Sequence, residues 1–251
     1  MDIYQLGYVF KNWESNEHAL ADLRQSFELK QHELKQAINR QIETASSMLL
    51  LGNDGVSEML ANWLIDSEKP GKCFFVAAIF SNKKADKING EQRIPLPQSL
   101  FHPMLHTGIL EQNPSFNKVF IEPCWREFGP RAVLEVLFNY IKTGNNNEKA
   151  GAASASYWLP EVDRKDSRYA KLLNQFHVQM LEEFVNNDNL LVRQRMIGLI
   201  TINKRNMKQS SWSLVDRVIQ IARNHSDEYI RHRIEWQLGN SDSLHPIPTQ
   251  S

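Results

Sequence analysis

Three side chains near the middle of the chain have residue types and a spacing that could support chemistry. His102 and His106 are four residues apart, so a helix would place both imidazoles on one face, and Cys124 lies close to Arg126. Imidazoles bind transition metals, and a neighbouring cation can make a thiol nucleophilic. Pro103, however, fits best as the first residue of a helix, which would leave His102 outside it, and no third ligand is near in sequence. We therefore expect no metal site and a buried, unreactive Cys124. A small-molecule enzyme with its site at these residues is the alternative.

The sequence lacks the common motifs of enzyme active sites. It contains no G-x-G-x-x-G or G-x-x-x-x-G-K-[ST] phosphate-binding loop, no G-x-S-x-G nucleophile turn and no H-E-x-x-H zinc motif. Cys73 lies in an apolar run, and two cysteines in 251 residues predict a reducing compartment and not a disulfide-bonded scaffold. We expect a non-catalytic protein without a cofactor.

A cluster of arginine and aromatic residues near the end of the chain could bind a partner. Tyr229, Arg233 and Trp236 are spaced by four and three residues, which places them on one side of a helix. Arg195 lies 38 residues before Arg233, the offset that also relates the helical repeats considered below. Guanidinium groups and aromatic rings bind acidic and planar groups. We predict that Arg195, Tyr229, Arg233 and Trp236 form the partner-binding surface.

The overall charge balance conceals an uneven distribution along the chain. Lys and Arg number 29 and Asp and Glu also number 29, so the formal net charge is zero. Residues 1–80 contain seven basic and eleven acidic residues, whereas residues 191–233 contain nine basic and three acidic ones. A zero net charge disfavours a general polyanion binder. The basic segment instead predicts a protein partner with an acidic surface, with nucleic acid as the alternative.

Apolar residues recur at steps of three and four over most of the chain, which predicts an all-α protein. Helices are expected over residues 1–80, notably from 19 to 49 and from 56 to 65. The longest apolar run, residues 73–80, is too short to span a membrane, and the N-terminus lacks a secretory signal. These features predict one soluble, cytoplasmic domain that does not bind a membrane.

Residues 81–128 differ from the rest because five of the ten prolines lie there. With an Asn-Gly pair at 89–90 and few periodic apolar residues, this segment is predicted to be an irregular insertion. Regular spacing returns over residues 129–239 as three helix–turn–helix pairs, in which Asp188 and Asp227 open the second and third partner helices. Residues 240–251 are predicted to be a flexible tail.

The partner helices carry the pattern of a known repeat family. Residues 188–193 and 227–231 each begin with an acidic residue and continue to a β-branched residue followed by arginine, at Val192-Arg193 and Ile230-Arg231. This pattern resembles that of HEAT repeats, although the first pair lacks the arginine. The resemblance covers residues 130–239 and implies a right-handed superhelical α-solenoid, typically a scaffold that binds macromolecules through its concave face. Residues 1–128 are assigned to the same stack by analogy.

One catalytic branch of that family also resembles this chain. Residues 229–238, with Trp236, are similar to a Trp-containing helix of the HEAT-like alkylpurine DNA glycosylases. Where that family has phosphate-binding arginines, the matching positions here are Gln194 and Gly239. The resemblance therefore implies shared architecture without shared catalysis. A nucleic-acid-binding protein or diverged glycosylase is the alternative to a protein-binding scaffold.

Overall fold

The computed structural model describes seven segments of the chain, residues 29–50, 54–65, 70–81, 94–111, 113–160, 167–204 and 208–239. These segments form α-helices and one short 3-10 helix, and they contain no β-strand, so the predicted all-α class is confirmed. None of their helices is long and apolar enough to cross a membrane. The predicted helical start at 19–28 and the predicted tail at 240–251 lie outside the described residues.

The chain divides into two compact units, of which the first comprises residues 1–107 and 122–127. Its described helices are α1 (Leu29–Leu50), α2 (Asp54–Ile65), α3 (Pro70–Ser81), most of α4 (Gln98–Leu110) and part of α5 (Lys118–Phe128). Helices α1, α2 and α3 pack against one another. Their contacts bury apolar side chains that follow helical spacing, among them Ala45, Met48, Val56, Leu60, Phe75, Val76 and Ile79.

The prediction that residues 81–128 are irregular is wrong for α4 and α5. Pro103 and Pro123 lie inside these helices, where each proline costs about 3 kcal/mol. Several buried side chains outweigh that cost, because each contributes about 1.5–3 kcal/mol. The buried set follows helical spacing and comprises Leu100, Phe101, Met104, Leu105, Ile109, Phe120, Ile121 and Cys124. The prediction that His102 precedes the helix is wrong for the same reason. Residues 82–93 lie outside the described segments.

The second unit comprises residues 108–121 and 128–251. Its main helices are α6 (Pro130–Thr143), α7 (Asn146–Ser156), α8 (Ser167–Asn186), α9 (Leu190–Ile197), α10 (Trp212–Arg223) and α11 (Glu228–Gln237). Consecutive helices contact one another as three successive pairs, α6 with α7, α8 with α9 and α10 with α11. The first helices contact one another in order, α6 with α8 and α8 with α10, and the second helices do the same, α7 with α9 and α9 with α11.

An equivalent cap begins each second helix and fixes the register of the pairs. The side-chain oxygens of Asn145, Asn189 and Asp227 each accept a hydrogen bond from the backbone N–H three residues later, at 3.1, 3.2 and 3.0 Å. Asn189 and not Asp188 therefore caps α9, one residue later than predicted. Asn189 and Asp227 are 38 residues apart, which is the offset that the sequence indicates between the second and third pairs.

Candidate partner-binding site

A pocket of about 540 Å³ lies on the second helices of the three pairs. Three of the four predicted binding residues line it, namely Arg195 on α9 and Tyr229 and Arg233 on α11. The remaining lining residues come from α7, α9 and the turn before α5, and they are Pro114, Ser154, Tyr157, Gln194, Gly198 and Leu199. The fourth predicted residue, Trp236, is not in the lining and is more than half exposed beside it.

The helix caps explain why the two arginines reach the same pocket. Arg195 and Arg233 each follow the cap of their helix by six residues, so they occupy equivalent positions on α9 and α11. The corresponding position on α7 is Gly151. A Cβ atom there would lie 1.8 Å from the carbonyl oxygen of Ile109, because the end of α4 lies directly on α7. The equivalent positions Gly151, Arg195 and Arg233 thus form a row across the second helices. The backbone of Ile109 covers the first position, and the other two are open.

The turn before α5 forms a wall of the pocket and is held by a buried polar contact. Trp158 donates its indole N–H to the carbonyl oxygen of Pro114 at 3.1 Å and also contacts the side-chain oxygen of Asn117. Asn117 is fully buried. The ammonium group of Lys118 lies 4.9 Å from the centre of the Trp158 ring. These contacts hold Pro114 at the pocket.

Arg233 has an unusual environment for a half-buried cation. Its Nε atom is buried and has no hydrogen-bond partner, and its guanidinium makes no ion pair with any residue that the structure describes. The guanidinium carbon lies 5.2 Å from the centre of the Trp236 ring. At Gly198, the residue directly after α9, a Cβ atom would lie 3.0 Å from Nη2, so the absence of a side chain there makes room for the guanidinium. Arg233 is thus positioned by packing and not by a carboxylate.

Among the described residues, the lining of the pocket includes two arginines and no Asp or Glu. The nearby carboxylate of Asp227 caps α11 and accepts a hydrogen bond at 3.0 Å from the amide nitrogen of Gln194. That bond leaves the amide oxygen of Gln194 as an acceptor. The pocket can therefore receive a negatively charged group at the arginines and a hydrogen-bond donor at Gln194.

The two arginines in the HEAT-like pattern have a different role. Arg193 donates from Nε to the carbonyl oxygen of Phe184 at 3.2 Å, and Arg231 donates from Nη1 to the carbonyl oxygens of His225 and Ser226. These carbonyls lie at the end of the first helix of a pair or in the turn after it. Both residues therefore tie the two helices of a pair together and take no part in the pocket.

The structure places Cys124, Cys73 and His102 in the first unit. Cys124 is fully buried, its Sγ lies 3.9 Å from the carbonyl oxygen of Phe101, and burial raises its pKa well above the ordinary value. Such a thiol stays protonated and inaccessible, so the prediction of a buried Cys124 is confirmed. His102 is exposed, and Cys73 is buried with its thiol against the carbonyl oxygen of Trp63. Within the described segments, no three His, Cys, Asp or Glu side chains are grouped as metal ligands.

The sequence identified Arg195, Arg233 and Tyr229 as binding residues, but it did not identify the other residues that line the pocket. Gly198 follows Arg195 by the same three residues that separate Trp236 from Arg233, so aligning the caps could have placed it beside the pocket. Tyr157 and Pro114 gave no such signal, since both reach the pocket only through the turn before α5 and the end of α7.

Comparisons with known proteins gave no match. No protein-family model, no curated protein and no solved structure matches this chain. The functional conclusion therefore depends on the pocket residues and on the repeated helix pairs.

Proposed function

We propose that this chain is a non-catalytic HEAT-like α-solenoid, with a right-handed superhelix, that binds an acidic segment of a protein partner in the pocket of α7, α9 and α11. Three observations support the solenoid: the order of helix contacts, the equivalent caps and the 38-residue offset between the second and third pairs. Stacked pairs of this kind present their second helices on one continuous face. The pocket lies on that face.

The observation that carries the binding role is Arg233. A buried donor without an acceptor costs about 1–3 kcal/mol, and a ligand that supplies the acceptor removes that cost. An acidic side chain on Arg233 would form charge-assisted hydrogen bonds worth about 1.5–3 kcal/mol each. Arg195 lines the same pocket and adds a second positive charge. Binding at these two residues is therefore electrostatically favourable for an anion.

The composition of the pocket favours a protein over a nucleic acid. Specific binding to duplex DNA commonly uses about 6–10 phosphate contacts, whereas this pocket offers two arginines. Tyr157 and Tyr229 are 67% and 47% exposed, and exposed tyrosines are typical anchors of protein interfaces. The volume of about 540 Å³ suits a few residues of a peptide segment.

Affinity capture from the native cell extract tests this function. Immobilised wild-type chain should retain a nuclease-resistant protein partner, and Arg233→Glu should lose it because two like charges would then face each other. Arg217→Glu is the matched control, since Arg217 is exposed on α10 and outside the pocket. Circular dichroism establishes that the variants are folded.

Two results would contradict the proposal. The first is equal capture by wild type and Arg233→Glu under conditions in which both are folded. The second is retention of material that disappears on nuclease treatment and on moderate salt, which would indicate a nucleic acid.

A further inference from the structure

The shape of the pocket suggests which part of a partner it receives. We infer that the pocket binds the C-terminal residue of a protein, with the terminal carboxylate on Arg233 and Arg195 and an apolar or aromatic terminal side chain between Tyr157 and Tyr229. This inference rests on the proposed function, because it specifies the segment that the pocket holds. Three features of the described residues support it.

The first feature is the closed end of the row of equivalent helix positions. At Gly151 the backbone of Ile109 covers α7, and Pro114 lines the pocket. A partner segment that enters over α11 and α9 therefore cannot continue along the equivalent position at Gly151. An internal segment would have to reverse its direction there, whereas a chain end can simply stop.

The second feature is the chemistry at the arginines. A carboxylate is planar and can accept two parallel hydrogen bonds from one guanidinium. The terminal nitrogens of Arg233 make no ion pair or hydrogen bond with any described residue, so they are available to a ligand. The described residues that line the pocket include no Asp or Glu that would compete for these nitrogens.

The third feature is the combination of apolar and polar groups around the arginines. Tyr157, Tyr229 and Leu199 provide apolar surface for one side chain. The amide oxygen of Gln194 is an acceptor, because its nitrogen donates to Asp227. A terminal residue has these complementary parts, namely a carboxylate, a side chain and a backbone N–H close together.

Peptide pools distinguish a terminal carboxylate from an acidic side chain. The probes are three pools with four randomised positions: one with a free C-terminus, one amidated, and one in which the random positions are internal and include Asp and Glu. A 5′-phosphorylated single-stranded DNA oligonucleotide is the fourth probe. Full-length chain is immobilised, and bound material is quantified for wild type, Arg233→Met and the control Arg217→Met.

We expect the free-acid pool to be enriched over the amidated pool by about tenfold or more, the factor that one charge-assisted hydrogen bond produces. The enriched peptides should end in an apolar or aromatic residue. Arg233→Met should remove this preference, and Arg217→Met should keep it.

Every other outcome overturns the inference. Equal retention of free-acid and amidated pools, preference for the internal pool, or retention of no peptide pool each excludes a terminal carboxylate. Capture from the native cell extract distinguishes a failure of this inference from a failure of the proposed function. If capture depends on Arg233 while the peptide pools show no preference, the proposed function stands and this inference fails. Preferential retention of the oligonucleotide would count against both.

Discussion

Replacing Arg233 by methionine separates a binding role from a structural role for this residue. A structural arginine stabilises the fold through its hydrogen bonds, so its loss lowers the free energy of unfolding. An arginine kept for a ligand contributes little to the free protein. Because Arg233 makes no hydrogen bond or ion pair with any described residue, we expect Arg233→Met to leave the protein at least as stable as the wild type.

The magnitude follows from two opposing contributions. The buried, unpartnered Nε–H of Arg233 costs about 1–3 kcal/mol, and methionine removes it. The contact of the guanidinium with Trp236 contributes about 0.5–1 kcal/mol, and methionine loses it. The net effect is a gain of about 0–2.5 kcal/mol in the free energy of unfolding, since methionine keeps most of the aliphatic packing.

The assay is urea-induced unfolding followed by far-UV circular dichroism, with Arg231→Met as the matched control. Arg231 lies two residues away on the same helix and donates to the carbonyl oxygens of His225 and Ser226. Its replacement should cost about 1–3 kcal/mol, because these acceptors lose their partner. A loss of more than about 1 kcal/mol in Arg233→Met, comparable with the control, would refute the reasoning and make Arg233 a structural residue.

Three further predictions concern the same unit. Gly198→Ala should weaken partner capture, because the new Cβ crowds Arg233. The free energy of unfolding should stay unchanged or rise by up to about 1 kcal/mol, because the φ of −79° at this position suits alanine. Destabilisation with unchanged capture would contradict this prediction. Burial lowers the pKa of His177 and His225 below 6.5, so the unfolded chain binds more protons and the melting temperature should fall as pH decreases below about 6.5. His177→Gln should reduce that dependence, and an unchanged slope would show that His177 contributes nothing. Asn189→Ala should cost about 1 kcal/mol of unfolding free energy, measured by chemical denaturation, by removing the cap of α9; no loss would mean that the cap is dispensable.

Much of the second unit could be predicted because its apolar residues repeat at helical spacing and its turns are marked by Asn and Gly. The same repeat assigns Arg195 to the position equivalent to Arg233, and helical spacing groups Tyr229, Arg233 and Trp236. The pocket itself could not be predicted in full. Pro114 reaches it only because the turn before α5 is held by Trp158, which is a tertiary contact without a local signal.

The error over α4 and α5 has a physical cause. The five prolines of residues 81–128 predict an irregular segment, yet the apolar side chains around Pro103 and Pro123 lie at helical spacing and are buried. Local propensity is a weak term, and burial overrides it when several large side chains share one face. The spacing of Leu100, Met104 and the residues between them was the better guide.

The contact between Gly151 and Ile109 has a consequence for engineering this protein. Only two of the three equivalent positions on the second helices can ever contribute a side chain to a ligand, because the first is occupied by backbone. Under the proposed architecture, a helix pair added after α11 would lengthen the row of equivalent helix positions. It could add a third arginine at the same 38-residue offset. A pair inserted before α6 would not lengthen this row. The direction in which recognition can be extended is therefore set by one glycine at the opposite end of the row.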